Sequence, residues 1–442
     1  MTYLSLNEII NPNNMKIKIT TVLILLSFFS CQKESKESEN QQDLITLYNP
    51  TSIDQNSAPV LISRNEIASL TGPIDKGMSP VLKDKDGGII PFQLDDLDFD
   101  DEWDEMAFVI DIKSQDSLKL ELTTIATDSL PQFESKTNVH LARRSDEKGP
   151  VVPVTEATNY KEVPPYQPNQ MDGPAWENEF VGYRLYFDGR NQRDVFGKQQ
   201  PDIILPTVGL NEEGNPFDNY HVLEDWGRDI LAVGNALGAG GLAILKDDQL
   251  IRLGLTLPET IDNVDSATYK LINKGPVRAI FSVDYKGWDL GEEKIDVSNI
   301  ISIWAGSHAY NNTVTISGFD GEKTLVTGLV NNNNDKRVIE KDYNKLKGII
   351  THDKQTYDKE YFLGLALLVP AANFNGWAEA PDTGKVNTTT YAKLPLTSGT
   401  SITYQVFSGW ELQDTSFTNR EFFVNMIDES AQKLNQPVQV IF

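Results

Sequence analysis

One cysteine, Cys31, and four histidines are all that 442 residues supply of the two most versatile catalytic side chains. The sequence has no HExxH, no histidine pair at helical spacing and no GxSxG, which leaves a zincin or a serine hydrolase without support. It is also short of positive charge. Lysine and arginine number 39 against 64 aspartates and glutamates, a net charge of −25. Nucleic-acid binding rests on broad neutralisation of phosphates by basic residues, so this composition argues against it. The one markedly apolar run near the start, Ile19 to Phe29, is too short to remain as a membrane-spanning helix, and no internal repeat of fixed period is visible.

What that run does fit is a secretory signal. Met15-Lys-Ile-Lys opens a basic region, the apolar run follows, and Ser30-Cys31 precedes the polar stretch CQKESKESENQQ. Residues 1–31 therefore read as an export signal ending in a lipidated Cys31, with Met15 as the start and residues 1–14 as an upstream extension. Phe28 and Phe29 depart from the usual lipobox, which carries a leucine and a small residue there. Once Cys31 is acylated, no thiol is left for a disulfide, a thiolate metal site or a cysteine nucleophile. The expectation is an exported lipoprotein of the outer membrane, on its periplasmic or cell-surface face, touching the membrane only through the anchor. Residues 32–45 read as a disordered tether, and no protein partner is implied.

From residue 45 onward, short apolar runs alternate with Gly, Pro, Asn and Asp, the pattern of a mostly β chain. Expected strands include Val60 to Ile62, Ile89 to Leu94, Met106 to Ile112, Leu118 to Thr124, Val277 to Asp284, Ile300 to Trp304, Thr313 to Ser317, Phe362 to Leu368 and Ile402 to Phe407. Two stretches look helical: Asp225 to Ala236, expected to begin with a short helix capped by Asp225, and Glu421 to Leu434. The Pro-rich, aperiodic stretch Gly149 to Gly173 suggests a boundary, with a small β-sandwich over residues 46–155 and a larger β domain over 156–442.

The densest chemistry lies in Trp176 to Gln199. Phe180 to Gln200 carries Arg184, Arg190, Arg193 and Lys198 against only Asp188 and Asp194, a cationic island suited to one small anion. Strand alternation over Val181 to Phe187 puts Arg184 and Tyr186 on one face, where a guanidinium can grip a carboxylate beside a phenol that moves a proton. A merely solvated outer face fits the same pattern. Trp176, Glu177 and Asn178 offer an aromatic face and polar groups for sugar hydroxyls.

Among the histidines, His221 stands beside Tyr220 and ahead of Asp225, Trp226 and Arg228, and His308 lies in GSHAYNN with Tyr310 two residues on. These two are the leading acid/base candidates, although a histidine taken at random is more often a satisfied structural residue. The run Gly234 to Gly241 lacks the Lys-Ser/Thr of a phosphate loop and reads better as close backbone packing beneath the site. Asp96, Asp98 and Asp100, with Asp104 following, are spaced like the start of a calcium loop but lack its sharp-turn glycine and terminal glutamate. A structural Ca²⁺ and a solvated acidic turn both remain open; no cofactor is required.

Taken together, WENEFVGYRLYFDGRNQRDVFGK, YHVLEDWGRDILAVGNALGAGG, GPVRAIF and AGSHAYNNTVTISG resemble a family of secreted bacterial proteins of formerly unknown function, encoded among polysaccharide-degrading enzymes, that includes an oligosaccharide dehydratase acting on ulvan. The later motifs also look like those of the galactose-mutarotase-like β-supersandwich. The resemblance implies a large supersandwich after the small sandwich. It further implies elimination of water from the glucuronate or iduronate at the non-reducing end of an anionic oligosaccharide, giving a 4,5-unsaturated uronate. In that reaction Arg184, Arg228 or Lys198 would neutralise the uronate carboxylate, His221 would take the C5 proton, Tyr186 or Tyr310 would protonate the leaving hydroxyl, and His308 would stand in reserve. Tyr220 and Trp226 would help hold the sugar. A polysaccharide lyase uses the same chemistry with a sugar as leaving group. A non-catalytic surface glycan-binding lipoprotein would need aromatic platforms alone, and mutarotase activity is a further alternative.

Overall fold

A computed structural model describes residues 43–162 and 166–442. The expected signal, Cys31 and nearly all of the tether lie outside these residues. Among the described residues no helix is long and apolar enough to cross a membrane.

The protein is mostly β, built from layered antiparallel sheets. Period-two burial explains why. In Lys294–Trp304, Ile295, Val297, Ile301 and Ile303 are buried while Ser298, Ile300 and Ser302 between them are not, so one face of the strand joins the core. That strand is fourth in a nine-stranded sheet running Glu156–Glu162, Ile261–Lys274, Arg278–Asp289, Lys294–Trp304, Ala309–Ser317, Ser401–Trp410, Leu363–Pro370, Leu346–Asp353 and Ile339–Asp342. Two five-stranded sheets share its main core. One runs Gly227–Asp229, Arg193–Lys198, Val181–Leu185, Ala175–Asn178 and Thr137–His140; the other runs Gln249–Arg252, Ala239–Lys246, Glu322–Val330, Thr389–Thr397 and Trp377–Glu379. The first of these two carries the candidate site and is called the site sheet below.

A smaller pair of sheets, with its own core of Ile45, Leu47, Val60, Ile62, Phe108 and Leu120, is formed by the N-terminal strands. The last strand, Gln439–Ile441, returns to pair with Asp43–Tyr48 in this pair. Arg278 ties it to the nine-stranded sheet: the guanidinium is buried against Asp95 and donates to Glu105 at 2.6 Å. The described residues form one compact unit.

The nine strands expected from the sequence are all present, each overlapping its expected span and running as much as six residues beyond it. The C-terminal helix is present as Arg420–Asn435, with Asn419 capping it through Glu421 N–H and Phe423, Ile427 and Ala431, four residues apart, facing inward. It lies close on the sheet because Gly364 and Gly409, paired across adjacent strands, leave room for the rings of Phe423 and Phe417. The helix expected over Asp225 to Ala236 is absent. There the chain makes turns around the short strand Gly227–Asp229, which pairs with Arg193–Lys198. Gly227 at φ +133° and Gly234 at φ +53° take backbone conformations that break a helix, and sheet pairing takes Gly227–Asp229.

Candidate functional site

The two faces of the site sheet divide its residues sharply. On the core-facing side, Trp176, Tyr183, Leu185 and Val195 join the main core. On the other side stand Glu177, Arg184, Asp194, Phe196, Lys198 and Asp229, covered by the segment from Met171 through Leu205 and Val208 to Tyr220. Register produces this grouping: Arg184 is paired with Asp194, and Phe196 with Asp229, so two carboxylates from neighbouring strands arrive beside one guanidinium.

Arg184 is fully buried at the centre. Its Nη2 donates toward three oxygens, Asp194 Oδ2 at 2.5 Å, Tyr186 Oη at 2.6 Å and Asp229 Oδ2 at 2.7 Å, and Nη1 approaches Asp172 Oδ2 at 3.8 Å. One nitrogen with two hydrogens cannot serve three acceptors equally, and two carboxylates share that nitrogen. Burial, and then the neighbouring Asp194, push Asp229 up to about 8 despite the Arg184 cation. Tyr186 donates to Asp194 Oδ2 at 2.7 Å, and its ring lies between the guanidinium carbons of Arg184 at 4.2 Å and Arg190 at 3.8 Å. Burial holds its phenol well above the ordinary range, so it stays protonated.

His221 is the open member. Its side chain is 53% exposed, while its Nδ1 lies 3.6 Å from Asp229 Oδ2, whose side chain is 4% exposed. The ring leans on Tyr220 at 4.8 Å, and its backbone carbonyl is held by the Tyr357 hydroxyl at 2.7 Å. Its Nε2 has no protein partner among the described residues. A half-exposed imidazole backed by a buried carboxyl is an arrangement that takes or gives protons at the open nitrogen while the other is held. Tyr220 lies beneath it, donating to Asp218 at 3.0 Å, and Trp226 is half-buried nearby against Phe196.

The structure thus brings together Arg184, Tyr186, Tyr220 and His221, adds Asp194, Asp229 and Asp172, and places Trp226 beside them. It corrects several other assignments. The cationic island is neutralised by the protein's own carboxylates: Lys198 is buried against Glu177 at 2.7 Å and Arg190 pairs with Asp188 and Asp172, and beyond the island Arg228 is buried against Asp358. None of Arg184, Arg228 and Lys198 has an open edge to grip a substrate carboxylate, because a buried cation in so acidic a chain takes a carboxylate of its own. Arg193 points into the core, where it donates to Gly240 O at 2.8 Å.

Trp176 is wholly buried among Tyr183, Phe281 and Tyr310, so it offers no face to a sugar. Glu177 accepts from Lys198 and from the Ile204 and Leu205 amides, and Asn178 donates to Trp304 O and Ser307 O; both are structural ties. Tyr310 is also in the core, its hydroxyl donating to Ala239 O at 2.5 Å, and no substrate reaches it. His308 lies on the core-facing side of the site sheet, its carbonyl held by Tyr183 and its ring stacked on Phe180 at 4.6 Å, away from the His221 cluster. The glycine run does pack closely beneath the site: at Gly238 and Gly240 a side chain would collide with Arg193 O and Tyr310 Oη.

In the N-terminal part, carboxylate oxygens of Asp96, Asp98 and Asp104 come within 4.8 Å of one another; Asp100 is outside this group and accepts Glu102 N–H instead. Asp96 takes the Phe99 and Asp101 amides and Asp104 takes the Leu97 amide, so these carboxylates staple an acidic turn.

No protein of curated function matches the chain. Two solved structures from Enterococcus faecalis resemble it in fold, a protein in glycosyl hydrolase family 38 and an alpha-mannosidase. Each is 10% identical with a TM-score of 0.46; the matches cover 91% and 90% of this chain but 47% and 45% of theirs. The chain spans about half their length, and at this distance neither activity nor substrate carries over. A family model does match, from residue 47 to residue 440. The chain belongs to the family described as a domain of unknown function, DUF4861.

Proposed function

We propose that this protein is a carbon–oxygen lyase that removes water from the uronic acid at the non-reducing end of an anionic, ulvan-type oligosaccharide. The observation that carries the reading is the exposed His221 imidazole set against buried Asp229, joined through one nitrogen of Arg184 to the Tyr186 phenol. Elimination across C4 and C5 of a uronate needs a base for the C5 proton and an acid for the 4-hydroxyl, and this cluster holds one of each kind.

In this mechanism His221 accepts the C5 proton at Nε2. The imidazolium that forms is stabilised by the Asp229 carboxyl oxygen that lies 3.6 Å from its Nδ1. Tyr186, kept protonated by burial, is the proton source for the leaving hydroxyl, and the Arg184 cation compensates the charge left on it. Arg184 acts by fixing the carboxyls and the phenol; it does not clamp the substrate. The product carries a new double bond conjugated to the carboxylate. Export as an outer-membrane lipoprotein through Cys31 belongs to the same proposal, and no metal or organic cofactor takes part in it.

The test follows ultraviolet absorbance and product mass with oligosaccharides that end in saturated glucuronate or iduronate linked to sulfated rhamnose. New absorbance with loss of one water, abolished in His221→Ala, is the expected result. Absorbance with chain cleavage would make the protein a polysaccharide lyase. Binding without turnover, unchanged in His221→Ala, would make it a glycan-binding protein.

A further inference from the structure

A cavity of about 250 Å³ lies away from the His221 cluster, where the strand Gln55–Ser63, the loop between Trp304 and Ala309, and the helix Arg420–Asn435 meet. Its volume is somewhat below the ~300–1,000 Å³ typical of pockets for drug-sized ligands, which limits it to a molecule of one sugar ring.

The walls are held in place without a ligand. Asn178 donates to Trp304 O at 2.7 Å and Ser307 O at 2.6 Å, and Gly306 N–H donates to Glu179 at 2.9 Å, which fixes the loop. The His308 ring is clamped between Phe180 and the edge of Phe417, with Nε2 3.2 Å from Gln413.

The lining chemistry is unlike the rest of the molecule. In a chain with 64 acidic residues, no aspartate or glutamate lines this cavity, whereas Lys433 and His308 do. Lys433 has neither an ion pair nor a hydrogen bond among the described residues. This contrasts with the His221 cluster, where Arg184 and Arg190 each have carboxylate partners. Gln405 donates to Asn311 at 2.7 Å, but its Oε1 is buried with no partner, and an unpaired buried acceptor is costly unless something donates to it. Trp304 and Phe407 supply apolar faces.

We infer that this cavity is a binding site for a small hydroxylated carboxylic acid, a monosaccharide acid, whose carboxylate meets Lys433, whose hydroxyl donates to Gln405 and whose C–H face lies on Trp304. Lys433 supplies the charge, Gln405 the demand for a hydroxyl donor, and the volume the limit to one ring. This assignment does not depend on what reaction occurs at His221.

Calorimetric titration of the whole protein with D-glucuronate tests it, with D-glucose as the uncharged control. Saturable glucuronate binding is expected, weakened about tenfold or more in Lys433→Met, which keeps the apolar stem, and retained in His221→Ala. Ser430→Phe, which fills the cavity without touching its charge, is expected to abolish binding, and thermal unfolding of each variant reports its fold. Glucuronate binding lost in His221→Ala but kept in Lys433→Met and Ser430→Phe would move the ligand to the other site and overturn the assignment. Equal binding of glucose, or none of glucuronate, would overturn it too.

Discussion

The two faces of the strand Val181–Leu185 make the clearest comparison in the molecule. Tyr183 and Arg184 are adjacent and both wholly buried, yet one lies in an aromatic layer with Trp176 and Tyr310, and the other in a cluster of three carboxylates, a phenol and an imidazole. Both sides contain tyrosines with polar partners. They differ in whether the network ends in protein or in solvent. On the aromatic side Tyr310 ends on the backbone carbonyl of Ala239. On the charged side the chain of contacts runs out through Asp229 to the half-exposed His221. A network that opens onto solvent can exchange protons with a substrate, whereas a closed one only stabilises the fold.

The comparison breaks most visibly at its open end. His221→Ala is expected to lower turnover by about 10²–10⁴-fold, the usual worth of a positioned acid/base group, with little change in the unfolding midpoint because the side chain is 53% exposed. A large loss of stability with normal turnover would make His221 a structural residue like His308. Removing the buried centre should lower turnover too, and should add a large loss of stability. Arg184→Met leaves Asp194 and Asp229 with no cation, and a cost of about 3–5 kcal/mol is expected in urea unfolding.

How far the sequence disclosed this site follows from what each signal depends on. Alternation is local, so Arg184 and Tyr186 on one face and Tyr183 on the other could be read directly, as could the C-terminal helix from the spacing of Phe423 and Ile427. Charge compensation depends on tertiary pairing. The basic stretch looked underpaired because, besides its own Asp188 and Asp194, it draws carboxylates from outside: Glu177 and Asp172 before it and Asp229 two strands away. Glu177 was in view, but as a sugar contact and not as the partner of Lys198. The net charge of −25 held the missing signal, since among so many acids a cation buried in a sheet will find one. Asp194 could also have been found, because it alternates with Phe196 and Lys198 on the strand that returns beside Arg184. The false helix at Asp225 to Ala236 has a similar origin: Gly227 and Gly234 were tolerated by the pattern but not by the backbone.

Asp229 offers a smaller effect that isolates the cluster's charge. In an unfolded chain an aspartate ionises near 3.8, and in the folded protein Asp229 holds its proton to about 8. Between those values the folded state binds a proton that the unfolded state has released, so stability falls as pH rises through this window. The contribution is fully present below 3.8 and lost above about 8. Asp229→Asn cannot titrate and should flatten the decline in urea midpoint between pH 5 and pH 8. Some slope should survive, because burial also raises Asp262, to about 7. An unchanged slope would mean that Arg184 keeps Asp229 ionised.

The finest cut is a matched pair, each losing one hydroxyl oxygen. Tyr310→Phe deletes the donor to Ala239 O on the closed face, at an expected cost of about 1 kcal/mol in stability and none in turnover. Tyr186→Phe deletes the phenol between Arg184 and Asp194 on the open face. It should cost at least as much stability, and it should also lower turnover about 10²-fold and alter the pH–rate profile. The ring remains in both variants, so the two guanidinium contacts to Tyr186 persist and packing is nearly constant. Equal losses of turnover in the two variants would mean that the phenol of Tyr186 is as structural as that of Tyr310, and the acid in the proposed elimination would then have to be sought at the mouth, where Tyr357 is 41% exposed and its hydroxyl already holds His221 in place.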